Sequence, residues 1–149
     1  MFKQFASVLG IGYVKGGGTV AAAACGLALY LSRASGSTHR PWPAAGLTLA
    51  LLAGGTLAAE RVEPEWGKDS SRVVLDEVAG MWVSMLGVPV TGLRLLAGLV
   101  LFRYFDIAKP LFIRDMEKLP GGAGVMMDDV LAGLYTNLLL RAGVRRGYL

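Results

Sequence analysis

The sequence is poor in cysteine, histidine and, over its first part, in acidic residues. It contains one cysteine, Cys25, and one histidine, His39, among 149 residues. A single cysteine excludes an internal disulfide and a zinc site built from several thiolates. We interpret Cys25, which lies in an apolar run, as a small buried filler. All eleven acidic residues lie at or after Glu60, so any carboxylate chemistry belongs to the later part of the chain.

The composition favours a small integral membrane protein. Hydrophobic residues make up 54% of the chain and charged residues 17%, and the mean hydropathy is +0.51, above the norm for a soluble domain. The length predicts a single membrane-embedded domain over residues 1–149. A net charge of +4 is weak evidence for a nucleic-acid partner, and we expect none. Basic residues in such a protein more often flank membrane segments or bind anionic headgroups.

Apolar runs predict an all-α fold, a compact bundle of about four to five short transmembrane or re-entrant helices. The runs cover residues 19–31, 42–59, 72–88, 93–105 and 124–141. The second run has 18 uncharged residues and is the clearest spanning candidate, with Trp42 as its interfacial anchor. The first run has only 13 residues, fewer than the ~20 needed to span a bilayer.

Glycine, proline and serine set the expected boundaries. Residues 1–18 are predicted to form an amphipathic segment at the membrane surface followed by a glycine loop. Lys15–Thr19 is expected to break any helix, acting as a hinge or, less often, as a backbone cradle for phosphate. Pro64 and Gly67 make a continuous helix through residues 60–69 unlikely to form. Ser70 or Ser71 is the expected cap of the next helix.

Two helices place a carboxylate above small residues on one face. The first face consists of Asp76, Gly80, Ser84 and Gly87, and the second of Asp129, Gly133, Thr136 and Leu140. Small residues allow helices to pack closely, so we expect these carboxylates to converge. Counting reversals puts the glycine loop and the loops 60–75 and 106–123 on one side, at the membrane interface.

Ionised side chains at the ends of these apolar runs indicate a functional site. The acidic candidates are Asp76, Glu77, Asp106, Asp128 and Asp129, and the basic candidates are Arg103, Lys109 and Arg114. Clustered carboxylates need a compensating cation, and hard oxygen ligands suit magnesium, manganese or calcium. Cations beside a metal are the usual equipment for a phosphoryl group. The alternative is that these charges only pair with one another at the interface, with Asp128 and Asp129 favoured by a helix dipole.

Absent motifs narrow the class. One histidine cannot supply both a phosphohistidine nucleophile and a second catalytic histidine. Cys25 is not followed by an arginine-closed phosphate loop, and no Asp-x-Asp-x-Thr sequence supports a haloacid-dehalogenase nucleophile. Metal-assisted hydrolysis or transfer, driven by carboxylates, is the chemistry that is left.

Three pieces of the sequence resemble the phosphatidylglycerophosphatase A family of small bacterial inner-membrane enzymes. They are Asp76–Trp82, Phe102–Pro110 with Ile113–Arg114, and Gly121–Gly133. They lie between residues 76 and 133 and keep the order and spacing of the family. One departure is Gly17-Gly18-Thr19, which stands where the family has Pro-Gly-Thr.

The resemblance implies a magnesium-dependent phosphatase that converts phosphatidylglycerophosphate, an anionic phospholipid, to phosphatidylglycerol in cardiolipin synthesis. It implies a multi-pass protein of the bacterial inner membrane whose active site faces the cytoplasm. On this hypothesis Asp76, Glu77, Asp128 and Asp129 hold Mg²⁺, with Asp106 as a further ligand or base. Arg103, Lys109 and Arg114, with Gly121 and Gly122, bind the substrate. The nucleophile, water or an aspartate, stays open.

Three other functions could use the same residues. A small transporter or ion-binding membrane protein predicts carboxylates near the middle of the bilayer and gives no role to Arg103, Lys109 and Arg114. A non-catalytic lipid-binding subunit does not need so many carboxylates. An alcohol phosphotransferase of phospholipid synthesis requires a longer aspartate pattern that this sequence lacks.

Overall fold

The fold is entirely helical over the residues that the structure, a computed structural model, describes. These are residues 1–32, 41–68 and 70–149, with side chains of 41–43 outside the description. In these ranges the helices are α1 (Phe2–Ala6), α2 (Gly17–Ser32), α3 (Pro41–Trp66), α4 (Leu75–Met85), α5 (Gly92–Ala108), α6 (Ile113–Met116) and α7 (Gly122–Arg145), with one 3₁₀ turn at Ile11–Tyr13. The predicted all-α class is confirmed. His39 and the side chain of Trp42 lie outside the described part of the chain.

Five longer helices, α2, α3, α4, α5 and α7, correspond to the five predicted runs. Contacts between distant segments place the turns before α2, α4 and α7 at one end. Tyr13 meets the ring of Trp66 edge-on at 5.8 Å between centroids. A Cβ atom at Gly121 would lie 3.2 Å from the Glu60 side chain. The side assignment made by counting reversals therefore agrees with the structure.

Helices α4 and α7 are in backbone contact through two glycines. A Cβ atom at Gly133 would lie 2.4 Å from the carbonyl oxygen of Gly80, and one at Gly80 would lie 2.8 Å from the carbonyl oxygen of Asp129. Such distances leave no room for any side chain. The predicted small-residue faces are thus buried against each other at these glycines and at Ser84 and Thr136, which are completely covered. Gly87, predicted on the same face, lies beyond the end of α4 and is exposed, because the helix stops at Met85.

The opposite end of the same helix pair is fixed by hydrogen bonds. The side-chain amide of Asn137 on α7 donates to the carbonyl oxygens of Val83, Ser84 and Leu86 at 3.2, 2.9 and 2.8 Å. Arg141 donates to Leu86 as well, at 2.8 Å. These groups satisfy carbonyls that the C-terminus of α4 would otherwise leave without partners. Glycine contact and cap together fix the register of α4 against α7.

Helix α3 runs further than predicted, because Pro64 lies within its last turn. The expected break at residues 60–69 is wrong: α3 continues to Trp66. Proline removes one backbone hydrogen bond, but only two residues of α3 follow Pro64, and Gly67 still donates to the Glu63 carbonyl at 2.8 Å. Burial of Val62 against α1 adds packing that favours this last stretch.

Two further boundaries differ from the prediction. Helix α4 starts at Leu75, after Val74, without a side-chain cap, so neither Ser70 nor Ser71 caps it. The residues before the helix instead form a turn, in which the Val73 N–H donates to the Ser70 carbonyl at 2.9 Å, and the backbone N–H of Val74 donates to the Ala6 carbonyl at 3.0 Å. The glycine loop is also shorter than predicted, because α2 already begins at Gly17. The left-handed residue of the loop is Gly16, which has a φ of 78°.

Among the described residues, Ala44–Trp66 is long and apolar enough to cross a membrane, by length and composition. A core helix of a soluble protein can have the same length and composition. The wider multi-pass arrangement stays a prediction. Exposed side chains nevertheless include Leu93, Leu96 and Val100 on α5, each about 60% exposed (60, 61 and 61%).

Gly133→Ala should destabilise the protein, because the new methyl group would overlap the backbone of α4. Overpacking of this kind costs about 1–3 kcal/mol. Gly46→Ala is the matched control, since a Cβ atom there meets nothing within 4 Å. It should raise the free energy of unfolding by about 0.5 kcal/mol, because alanine reduces the conformational entropy of the unfolded chain. Thermal unfolding of both variants in one detergent measures the difference. Equal midpoints would contradict the close helix contact.

Candidate active site

Three carboxylates meet where α4 crosses α7. One oxygen from each of Asp76, Glu77 and Asp129 lies within 4.8 Å of the others. Asp129 is only 3% exposed and Asp76 9%. We call these three residues the carboxylate cluster. Buried charges are strongly unfavourable unless paired or bound to a metal, so this cluster is a candidate cation site.

The helices explain why the three side chains converge. Asp76 and Glu77 lie in the first turn of α4, and Asp76 accepts a hydrogen bond from the Glu77 amide at 3.1 Å. Asp129 follows the first turns of α7 and lies one helical turn before Gly133. The glycine contact brings the two backbones together at this level, so the carboxylates face each other.

Asp106 and Arg103 from the end of α5 border the cluster. Arg103 donates to Glu77 at 3.4 Å and also pairs with Asp106, while Asp106 shares a hydrogen bond with Asp129. Two buried atoms, Oε2 of Glu77 and Nε of Arg103, have no hydrogen-bond partner. One basic side chain thus faces three or more carboxylates, which leaves a net negative charge.

Burial and the excess of carboxylates raise the pKa values of the cluster. The cluster lies outside the candidate span Ala44–Trp66. Burial raises the pKa of Asp76 and Asp129 well above the ordinary range, and repulsion between neighbouring carboxylates raises it further. Burial also raises the pKa of Glu77, although Arg103 opposes the shift. A divalent cation would reverse this effect by stabilising the ionised forms.

The residues fit such a cation. Three carboxylate oxygens within ligating reach of one another, and the unpartnered Glu77 Oε2, form the hard oxygen set that Mg²⁺, Mn²⁺ or Ca²⁺ binds. Adjacent carboxylates on a helix point about 100° apart. Even so, both Asp76 and Glu77 reach the cluster, since they lie at the free start of α4.

The start of α2 also approaches the cluster. A Cβ atom at Gly18 would lie 1.8 Å from Oε1 of Glu77 and 3.2 Å from Nη1 of Arg103. Only glycine allows the α2 backbone so near to these two side chains. The glycine-rich sequence therefore has a packing role at the site, beyond the hinge expected from sequence.

A pocket of about 460 Å³ lies beside the cluster, on the far side of Asp128. It is lined by Lys68, Arg114, Glu117, Lys118, Gly121, Gly124, Val125 and Asp128. We call it the basic pocket, because its three cations outnumber its two carboxylates. An anionic group of phosphate size would find favourable charge there.

Lys109 lies next to Asp128, between the basic pocket and the carboxylate cluster. Its ammonium group donates to Asp128 at 2.6 Å and to Glu117 at 2.5 Å. Burial alone would lower the pKa of Lys109, but these hydrogen bonds outweigh burial and raise the pKa above its ordinary value. Lys109 therefore stays charged. It occupies the left-handed region, with a φ of 46°, a strained conformation often found at functional sites.

The predicted residues thus separate into two groups. Asp76, Glu77 and Asp129 form the cluster, with Asp106 and Arg103 beside them. Asp128, Arg114 and Gly121 line the basic pocket, and Lys109 is paired with its Asp128 and Glu117. Asp128 is adjacent to Asp129 in sequence but pairs with Lys109 instead of joining the cluster. Gly122 packs on α3, where its Cβ would lie 2.2 Å from the Thr56 carbonyl oxygen.

Sequence reasoning missed three charged residues of the basic pocket, Lys68, Glu117 and Lys118, as well as Gly124 and Val125 of its wall. Glu117 and Lys118 follow Arg114 in one charged loop, so their charge density was a usable signal. Lys68 comes from the segment after α3 and is brought in by the fold alone. No pattern along the chain pointed to it.

Together these features define a class: all-helical proteins that place a candidate divalent-metal site next to a basic pocket. Comparison with known families makes the assignment specific. The model of the family "Phosphatidylglycerophosphatase A" matches residues 4–144. The chain belongs to this family, and the resemblance drawn from the three motifs is confirmed.

Curated relatives carry related names. The chain is 47% identical over 102 residues to a Bacteroides thetaiotaomicron protein named "Putative phosphatidylinositol-3-phosphatase". The aligned region makes up 66% of this chain and 64% of the relative. It is 41% identical over 76 residues to a Haemophilus influenzae phosphatidylglycerophosphatase A, with coverage of 50% and 47%. The corresponding Escherichia coli protein is 33% identical over 101 residues, with coverage of 65% and 59%.

The chain therefore spans between about half and two thirds of the length of these relatives, from 47% to 64%. No solved structure matches the chain. The family model over residues 4–144 nevertheless establishes the family.

The cluster predicts a characteristic pH dependence of stability. Without metal, the free energy of unfolding should fall as pH rises from about 4, because the folded state holds the protons of these carboxyls more tightly than the unfolded state does. Mg²⁺ binds the ionised carboxylates, so its stabilising effect should grow with pH. Thermal unfolding from about pH 5 to about pH 8, in chelator or Mg²⁺, measures both trends.

Asp129→Asn removes one of these carboxyls and should weaken both trends. Glu65→Gln is the control, since Glu65 is exposed and pairs only with Lys3 among the contacts described. A stabilisation by Mg²⁺ that is equal at all pH values, or unchanged in Asp129→Asn, would contradict a metal site at the cluster.

Proposed function

We propose that this protein is a magnesium-dependent lipid phosphatase that hydrolyses the terminal phosphate monoester of phosphatidylglycerophosphate to give phosphatidylglycerol. One observation carries the proposal: the carboxylate cluster and the basic pocket share the Asp128–Asp129 boundary. A metal-type site and an anion-type site thus lie one residue apart on α7. Family membership supports the substrate class, and the relatives' names supply its headgroup.

In this proposal Asp76, Glu77 and Asp129 hold Mg²⁺, with Asp106 as a further ligand or as a base. The cation, when bound, would stabilise negative charge on phosphoryl oxygens. Asp128 has a different task from the one first proposed, because its pairing with Lys109 positions that ammonium between cluster and pocket. Asp128 is thus a positioning residue, and its place among the metal ligands is the less favoured assignment.

The cations would bind the two phosphates of the substrate. Arg103 is held at the cluster by Glu77 and Asp106 and would contact the phosphodiester. Arg114 and Lys109 lie on the pocket side, where the terminal phosphate would bind against the cluster. A guanidinium matches phosphate oxygens with two parallel donors, so these contacts would orient the monoester towards the cluster.

We further propose that the bundle is embedded in the bacterial inner membrane with its carboxylate end at the cytoplasmic surface. The candidate span in α3 and the exposed leucines of α5 support this placement. The described acidic residues belong to the end of the bundle that holds the cluster, where a phospholipid headgroup would lie. The phosphatase would then act in phosphatidylglycerol and cardiolipin synthesis.

A second headgroup is favoured by one observation. The relative that is 47% identical carries a phosphatidylinositol-3-phosphatase name, and a basic pocket of about 460 Å³ has room for a sugar-like ring.

The transporter alternative is less well supported, because the carboxylates lie towards one end of the bundle and adjoin a basic pocket.

Phosphate release from purified protein in detergent tests the function. With Mg²⁺, phosphatidylglycerophosphate should be hydrolysed, and excess chelator should abolish release. Asp129→Asn should lower kcat by on the order of 100-fold or more, since it removes a ligand of the proposed metal. Glu65→Gln should retain full activity.

Phosphatidylinositol 3-phosphate, assayed in parallel, decides between the two headgroups. A higher kcat/KM for the inositol lipid would replace the proposed substrate while keeping the reaction class. Absence of release from either lipid, by protein that unfolds cooperatively, would refute the phosphatase assignment and favour the transporter alternative.

A further inference from the structure

A groove with almost entirely apolar walls runs between α2 and α5. Its volume is about 350 Å³. The walls include Ala23, Gly26 and Leu27 of α2 and Leu96 and Leu99 of α5, and Met81 of α4 forms the floor. Leu27 and Leu96 at the rim are 58% and 61% exposed, so the groove is open along one side.

The groove leads towards the carboxylate cluster, because the same two helices border both. Gly18 at the start of α2 lies against Glu77 and Arg103, and Arg103 itself is on α5. Ala23 follows Gly18 by five residues, or about 7.5 Å along the helix axis. Leu99 precedes Arg103 by four residues, about 6 Å. The upper end of the groove therefore begins roughly two helical turns or less from the cluster.

We propose that this groove binds one acyl chain of the lipid whose phosphate is hydrolysed at the cluster. The inference rests on the proposed function and adds a chain-length preference to it. An occupant that places an anionic group at Arg103 and fills an apolar groove below must have a charged head and a long hydrocarbon tail. The open rim lets such a chain enter sideways from a bilayer.

The length of the groove determines which chains reach its lower end. Lining residues extend from Ala23 to Tyr30 on α2 and from Gly92 to Leu99 on α5, seven residues each, or about 10 Å. A short acyl chain would fill the upper part only. A long chain would also contact the lower part near Gly92, and would gain affinity there by removing apolar surface from water.

Filling the lower end should therefore remove the preference for long chains. Gly92→Leu is suitable, because a Cβ atom at Gly92 meets nothing within 4 Å and the change needs no repacking. It should lower kcat/KM for dipalmitoyl phosphatidylglycerophosphate by on the order of tenfold and leave the dibutanoyl lipid, whose chains are too short to reach Gly92, unchanged. Ala23→Phe, at the upper end, should lower kcat/KM for both lipids.

The matched control is Gly46→Leu on α3, where a Cβ atom also meets nothing within 4 Å and no groove is present. It should leave both kcat/KM values unchanged. Equal losses for long and short lipids in Gly92→Leu, or no loss for either, would overturn the acyl-chain groove.

A binding measurement keeps this inference separable from the phosphatase assignment. Leu96→Trp places a fluorophore at the rim, and Leu47→Trp places one on the exposed face of α3. Phosphatidic acid with brominated acyl chains should quench Leu96→Trp more strongly than brominated phosphatidylcholine does, and should show no such preference at Leu47→Trp.

Equal quenching of Leu96→Trp by the two lipids would mean that the groove holds bulk lipid, and would overturn the proposal whether or not the protein turns over. Preferential quenching without turnover of any lipid would refute the phosphatase assignment and leave the groove in place as a binding site for a lipid phosphate.

Discussion

The contact between Gly80 and Gly133 is the constraint on which the site depends. It sets the distance between α4 and α7 at backbone contact, and Asn137 fixes their register further along. Without that approach, the carboxylates of Asp76 and Asp129 would be separated by the side chains of two ordinary helices, whose axes lie about 8–10 Å apart. The cluster is therefore a consequence of helix packing, and the packing is specified by residues with no chemistry of their own.

The same approach creates an electrostatic problem that the protein resolves only in part. Burial and mutual repulsion disfavour ionised Asp76, Glu77 and Asp129, and Arg103 compensates for one charge. A divalent cation supplies the missing positive charge in this account, so metal binding, stability and catalysis are linked through one group of side chains. On the pocket side, by contrast, Lys109 is matched by Asp128 and Glu117, and this pairing keeps a charged ammonium beside the site.

Much of this arrangement could be predicted from sequence because it depends on local patterns. A spacing of four residues put Asp76 above Gly80 and Asp129 above Gly133, and both faces are buried as expected, except at Gly87 beyond the end of α4. The division between Asp128 and Asp129 was not predictable, since adjacent residues on a helix face different neighbours and only the fold shows which neighbour is Lys109.

The errors have similar causes. Pro64 was interpreted as a helix breaker, but a proline in a last turn removes little, and packing of Val62 favours the longer helix. Lys68 reaches the basic pocket through the path of the chain after α3, which no periodicity encodes. The acyl-chain groove arises between helices far apart in sequence, so its walls are visible only in three dimensions.

The central claim is that the cluster at the α4–α7 crossing binds a divalent cation. The most direct measurement is titration of the purified protein with Mn²⁺, followed by the electron paramagnetic resonance signal of the free ion. The account predicts that the wild-type protein removes free Mn²⁺ from solution, that Mg²⁺ displaces it, and that Asp76→Asn abolishes this binding while Glu65→Gln retains it. Undiminished free Mn²⁺ signal with folded wild-type protein, or equal binding by Asp76→Asn, would contradict the account.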